Sequence, residues 1–92
     1  MQIMKNLKNN SFDNSNIMVY IKTPEMKSFA ALSSLKDFTI APNLMYASLL
    51  SFEKLDRLKL WADQYKETCE RTKSVLQIRS AKDRKKILYQ IN

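Results

Sequence analysis

Ninety-two residues, 45% of them apolar, make one domain with a modest core and leave no second domain for separate chemistry. The absence of His and Gly removes the ordinary general base near neutral pH, Ser/His and Cys/His dyads, phosphate-cradling loops and dinucleotide fingerprints. A net charge of +7 sets up a field that points to a polyanionic partner, nucleic acid or an anionic surface, without deciding between them.

These exclusions predict a protein that is not an enzyme and carries no cofactor and no metal. Without Gly, tight hairpins and glycine helix caps are disfavoured, so the expectation is a mainly α fold. The expected architecture is a small helical domain built on one long central helix (about 44–78), with a short helix before it, a basic C-terminal helix, and one short strand near 17–22. Lys outnumbers Arg twelve to four, a bias of AT-rich coding found in many phages and plasmids. A single cysteine forms no internal disulfide and fits a reducing, cytoplasmic compartment. The longest apolar run falls far short of the ~20 residues a bilayer span needs, so no membrane partner is expected.

In chain order, residues 1–16 are rich in Asn and Ser and read as a flexible arm, with no apolar run of the kind a signal peptide needs. Ile17 to Lys22 are β-branched and aromatic, bounded by Asn16 and Pro24, and read as a strand. Thr23, Pro24 and Glu25 form a helix start signal, predicting a helix that ends near Asp37. Asn43 is an N-cap for the long helix. Along that helix Leu55, Leu58, Ala62, Tyr65, Cys69, Thr72 and Leu76 form a stripe at spacings of three and four. The opposite face offers Glu53 with Arg57, Lys59 with Asp63, Glu67 with Arg71 and Glu70 with Lys73 as ion pairs. The seven-residue recurrence leaves a homodimer open. Cys69 reads as a small buried hydrophobe. Asp63 and Glu67 share a face at metal-ligand spacing, but their lysine neighbours make them a solvated face.

Ser80, with Asp83 three residues on, predicts a fresh helix start and a terminal helix over 81–91. On such a helix Lys82, Lys85, Lys86 and Tyr89 form one outward stripe, suited to phosphate contacts with the phenol reaching a sugar or base. Arg79 and Lys73 extend this candidate nucleic-acid surface, and Arg84 must snorkel or pair between Ile87 and Leu88. Residues 66–91 also loosely resemble a helix-turn-helix, with Leu76 and Ile78 closing a first helix and Ser80 opening a second. They depart from its pattern at Gln77 in the turn and Asp83 in the second helix. The resemblance implies DNA binding with Lys82, Lys85 and Lys86 nearest the major groove.

Two functions are therefore expected. One is a small basic nucleic-acid-binding regulator or accessory factor, with DNA ahead of RNA as its partner. The alternative is a helical adaptor or inhibitor that docks on a protein partner or forms a peripheral subunit of a larger assembly.

Overall fold

The computed structural model describes residues 16–92. The Asn-rich arm lies outside the described residues except for Asn16. In chain order the elements are β1 (Asn16–Lys22), β2 (Ala30–Ser34), β3 (Thr39–Ile40), β4 (Leu50–Ser51), α1 (Leu55–Asp63), α2 (Lys66–Thr72), β5 (Val75–Ser80) and β6 (Ile87–Ile91), with single 3-10 turns at Leu44–Tyr46 and Phe52–Lys54.

β1 is the centre of the fold. Its run of Ile, Met, Val and Tyr is buried on both pleats: Ile17, Met18, Val19 and Tyr20 are all at most 5% exposed. Such a continuous apolar strand requires neighbours on both edges and cover on both faces. It pairs antiparallel with β5 along one edge, from Ile17 opposite Ser80 to Lys22 opposite Val75. Its other edge takes β2 near Tyr20 and Ile21, and β4 at Asn16 and Ile17. With β3 beyond β2 and β6 beyond β5, the sheet order is β3-β2-β1-β5-β6, every pairing antiparallel.

Alternation along β1 divides the interior in two. Ile17, Val19, Leu32, Leu76, Ile78 and Ile91 from the sheet pack against Leu58, Ala62 and Cys69 from the two helices. Met18 and Tyr20 point the other way, where they gather with Ala31 and Ala81, flanked by Phe29 and Ala47. Phe38, Trp61 and Tyr65 extend the helix-side core through ring contacts with centroids 4.8 to 5.7 Å apart.

The mainly α expectation is overturned by this sheet, and the physical reasons are local. Asn43 does cap, its Oδ1 accepting from the Met45 amide at 2.9 Å, but the turn it starts is over at Ala47, whose backbone is extended. The predicted central helix, about 44–78, is therefore a 3-10 turn, β4, a second 3-10 turn, α1, α2 and most of β5. α1 stops at Asp63, and the Tyr65 amide turns back to the Ala62 carbonyl at 2.9 Å before α2 begins. α2 ends in a Schellman arrangement. The Ser74 amide reaches the Cys69 carbonyl at 2.9 Å, and Lys73 sits in the left-handed region at φ 58°.

Beyond that cap, Leu76, the last residue of the expected helical stripe, belongs with Ile78 to a period of two. The helix expected after Thr23 is a single turn, closed by the Met26 amide on the Thr23 carbonyl at 3.0 Å, and β2 follows. The terminal helix over 81–91 is a turn followed by β6. The helix-turn-helix likeness fails with it, since residues 66–91 form helix, strand, turn and strand. None of the intrahelical ion pairs closes among the described residues. Cys69 is buried, at 4% exposure.

Two outcomes test this packing. Leu58→Ala removes the α1 side chain that seats the helix on the sheet, and lowers the unfolding free energy by about 2–4 kcal/mol in urea titration. A loss under about 1 kcal/mol would mean that α1 does not rest there. Lys73→Gly relieves the left-handed backbone at the α2 cap, a relief of ~1–2 kcal/mol that glycine's greater unfolded freedom partly offsets. The same titration then shows a gain of about 0.5–1 kcal/mol, and a loss would contradict the cap geometry.

Candidate nucleic-acid interface

The basic run near the C-terminus lies in the turn between β5 and β6. Its shape follows from the same Ser80 and Asp83 pair that reads as a helix cap. Ser80 Oγ accepts from the Asp83 amide at 3.2 Å, and Asp83 Oδ1 accepts from the Lys85 amide at 3.1 Å. The Lys86 amide donates to the Asp83 carbonyl at 2.9 Å, and the Ser80 amide to the Lys86 carbonyl at 3.1 Å. Two further bonds tie the turn to the sheet: the Ala81 amide to the Asn16 carbonyl at 2.9 Å, and Arg79 Nη1 to the Arg84 carbonyl at 3.1 Å. Both side-chain oxygens act locally, so the pair can open a tight turn as readily as a helix.

This turn brings Lys82, Arg84, Lys85 and Lys86 together, all exposed, with Asp83 as the only acid among residues 81–86. Lys82 and Lys86 also line an open groove of about 760 Å3, with Phe52 and Leu88 as apolar walls and Glu53 and Asp83 as counter-charges. Arg84, which the helical reading wedges between Ile87 and Leu88, is exposed in the turn. Its inclusion in the basic group follows only once the segment is read as a turn.

The other three candidates are placed elsewhere. Tyr89 faces the helix side, where it packs against the core, donates its hydroxyl to the Asp63 carboxylate at the end of α1, and lies 5.5 Å from the Lys59 ammonium. That hydrogen bond, then burial, then the charge of Asp63 push its phenol up from the ordinary tyrosine range. Lys73 caps α2 at the opposite end of β5 from the turn, roughly 20 Å away for a strand of this length. Arg79 lies on the sheet face away from the helices. Its guanidinium centre is 4.2 Å from the Tyr20 ring centre and 5.0 Å from that of Phe29. The outward stripe expected from Lys82 to Tyr89 thus does not exist, because a strand sends Tyr89 to the core.

Among the described residues there is no group of three or more His, Cys, Asp or Glu side chains able to hold a metal ion. No described helix is long and apolar enough to cross a membrane. A smaller cavity of about 250 Å3 opens beside α2, lined by Phe38, Tyr65, Cys69 and Leu76 with threonine and serine hydroxyls among them, and burial pushes the Cys69 thiol up. Comparison with protein-family models, curated proteins and solved structures finds no match to this chain.

Burial raises the Tyr20 phenol above its ordinary value of 10.0, while the Arg79 and Arg84 cations draw it part of the way back. The folded state therefore holds this proton more tightly than the unfolded chain. Its contribution to stability is complete below the unfolded value and is lost as pH climbs through the folded one. Tyr20→Phe, which cannot ionise, should lose less unfolding free energy than the parent protein between about pH 9 and pH 11, measured by urea titration at each pH. Equal losses would show that the phenol is not held in an apolar site.

Proposed function

We propose that this protein is a small cytoplasmic nucleic-acid-binding accessory or regulatory factor, that DNA is its preferred partner, and that it performs no chemistry of its own. The observation that carries the reading is the β5–β6 turn, where four exposed cations share six residues whose backbone is held by its own hydrogen bonds. A two-stranded ribbon fits the major groove of duplex DNA, and ammonium groups at its tip meet phosphates on the groove walls. Such contacts fix position more than sequence. The β5–β6 turn takes the place of the terminal helix in the expectation drawn from sequence.

A second reading, docking on a protein, is favoured by the apolar run between β3 and α1. Met45 is 84% exposed and Tyr46 59%, beside exposed Leu44, Leu49 and Phe52. It requires a stoichiometric protein partner that survives nuclease treatment and is released by Met45→Asp with Tyr46→Asp.

For three to four phosphate contacts, the logarithm of affinity for duplex DNA should fall against the logarithm of salt with a slope of about −2.7 to −3.6. That slope is a loss of roughly 40- to 150-fold between 50 and 200 mM salt. The triple variant Lys82→Ala, Lys85→Ala, Lys86→Ala reduces the slope by about 2.7, to between about 0 and −0.9, and weakens binding alike across sequences. Fluorescence anisotropy with duplex and single-stranded probes reads both quantities. Binding that ignores salt, or that the triple variant leaves intact, would refute the hairpin as the contact surface.

A further inference from the structure

Arg79 differs in kind from the lysines beyond it. Its guanidinium lies against the Tyr20 and Phe29 rings, its Nε donates to Gln77 Oε1 at 2.8 Å, and its Nη1 donates to the Arg84 carbonyl at 3.1 Å. Gln77 is itself fixed, since its Nε2 donates to Gln90 Oε1 at 2.6 Å, and Gln90 Nε2 donates to Asn92 Oδ1 at 3.1 Å. Every one of these partners is neutral.

A half-buried cation ordinarily has a carboxylate to offset its lost hydration. Arg79 forms no ion pair among the described residues. Of the five N–H donors of a guanidinium, two are engaged here, which leaves three, both hydrogens of Nη2 among them. The side chain has given up its rotamer freedom before any ligand arrives, and its remaining donors keep the spacing that matches two oxygens of one phosphate. The Arg84 carbonyl that accepts from Arg79 Nη1 sets the Arg84 backbone against this guanidinium, so a second, exposed cation is carried at the base of the same turn.

We propose that Arg79 is a preorganised phosphate-binding fork at the base of the β5–β6 turn, engaging two oxygens of one phosphate with Arg84 as the second cation. The proposal rests on the nucleic-acid reading above and assigns the phosphate to a backbone diester. The turn lysines supply charge that salt screens, while Arg79 supplies a fixed geometry that Lys, a point charge on a flexible stem, does not reproduce.

The test is anisotropy with a labelled 20-base-pair duplex over a salt series, comparing the parent protein, Arg79→Lys and Lys82→Ala. Arg79→Lys keeps the charge, so its salt slope is unchanged while its affinity falls about tenfold at every salt concentration. Lys82→Ala lowers the slope by about 0.9. Should Arg79→Lys bind as tightly as the parent while Lys82→Ala is weakened, the fork is overturned and the hairpin reading stands. No binding by the parent overturns both.

A second measurement needs no variant and decides the matter if Arg79→Lys does not fold. The Arg79 Nε–Hε resonance of the parent protein is followed during titration with unlabelled duplex and, separately, with inorganic phosphate. A saturable shift with duplex supports the proposal. A resonance that stays still while the amides of residues 82–86 move overturns it, as does a shift with inorganic phosphate but none with duplex.

Discussion

The β1–β5 ladder is the constraint on which the rest of the structure depends. Its six residue pairs join segments that lie 53 to 63 positions apart in the chain, from Lys22 with Val75 to Ile17 with Ser80. Closing so long a loop has an entropic cost that grows only slowly with length. Burying β1 on both faces and both edges offsets it. Once the ladder forms, the alternation of β1 assigns Ile17 and Val19 to the helices and Met18 and Tyr20 to the opposite face. It also sets the position of the basic turn, because β5 runs out beside Asn16, whose carbonyl receives the Ala81 amide.

Much of the local chemistry was legible in the sequence, but its reach was not. Asn43, Thr23 and the Ser80–Asp83 pair all take part in the turns that their residue types imply. Each turn, however, is one turn long rather than the start of a helix. A cap satisfies the first exposed amides and says nothing about whether the chain continues. That is decided by what lies beyond, here the need of β1 for partners on both edges. Left-handed backbone occurs here without Gly. Phe38 and Lys73 both adopt positive φ, at 55° and 58°. Phe38 has a compensation in its ring contacts with Trp61 and Tyr65, and Lys73 in the Schellman bonds that end α2. Ring contacts at Phe38 and local backbone bonds at Lys73 offset the cost that glycine would have avoided.

The candidate site divides along the same line. The cluster of Lys82, Lys85 and Lys86 is visible as a run of letters and stays a cluster whether the segment is helix or turn. Tyr89 does not, because a change of period from 3.6 to 2 carries it from the solvent side to Asp63 and the core. Arg79 was identifiable as basic but not as fixed, since the rings that hold it come from Tyr20 and Phe29, more than forty-five residues earlier. The protein therefore presents two sorts of cation side by side. Those in the turn are exposed and carried on flexible stems, and the one at its base is braced by aromatic rings and amides.

The order of the strands has a consequence for biosynthesis. β1 and β2 leave the ribosome before β5 and β6, the last of the described elements. Until they emerge, the edge of β1 that belongs to β5 has no mate, and its backbone N–H and C=O groups line a bare strand margin. A nascent chain halted between α2 and β5 would display that margin to neighbouring polypeptides, so translation of β5 is the step that covers this edge of β1.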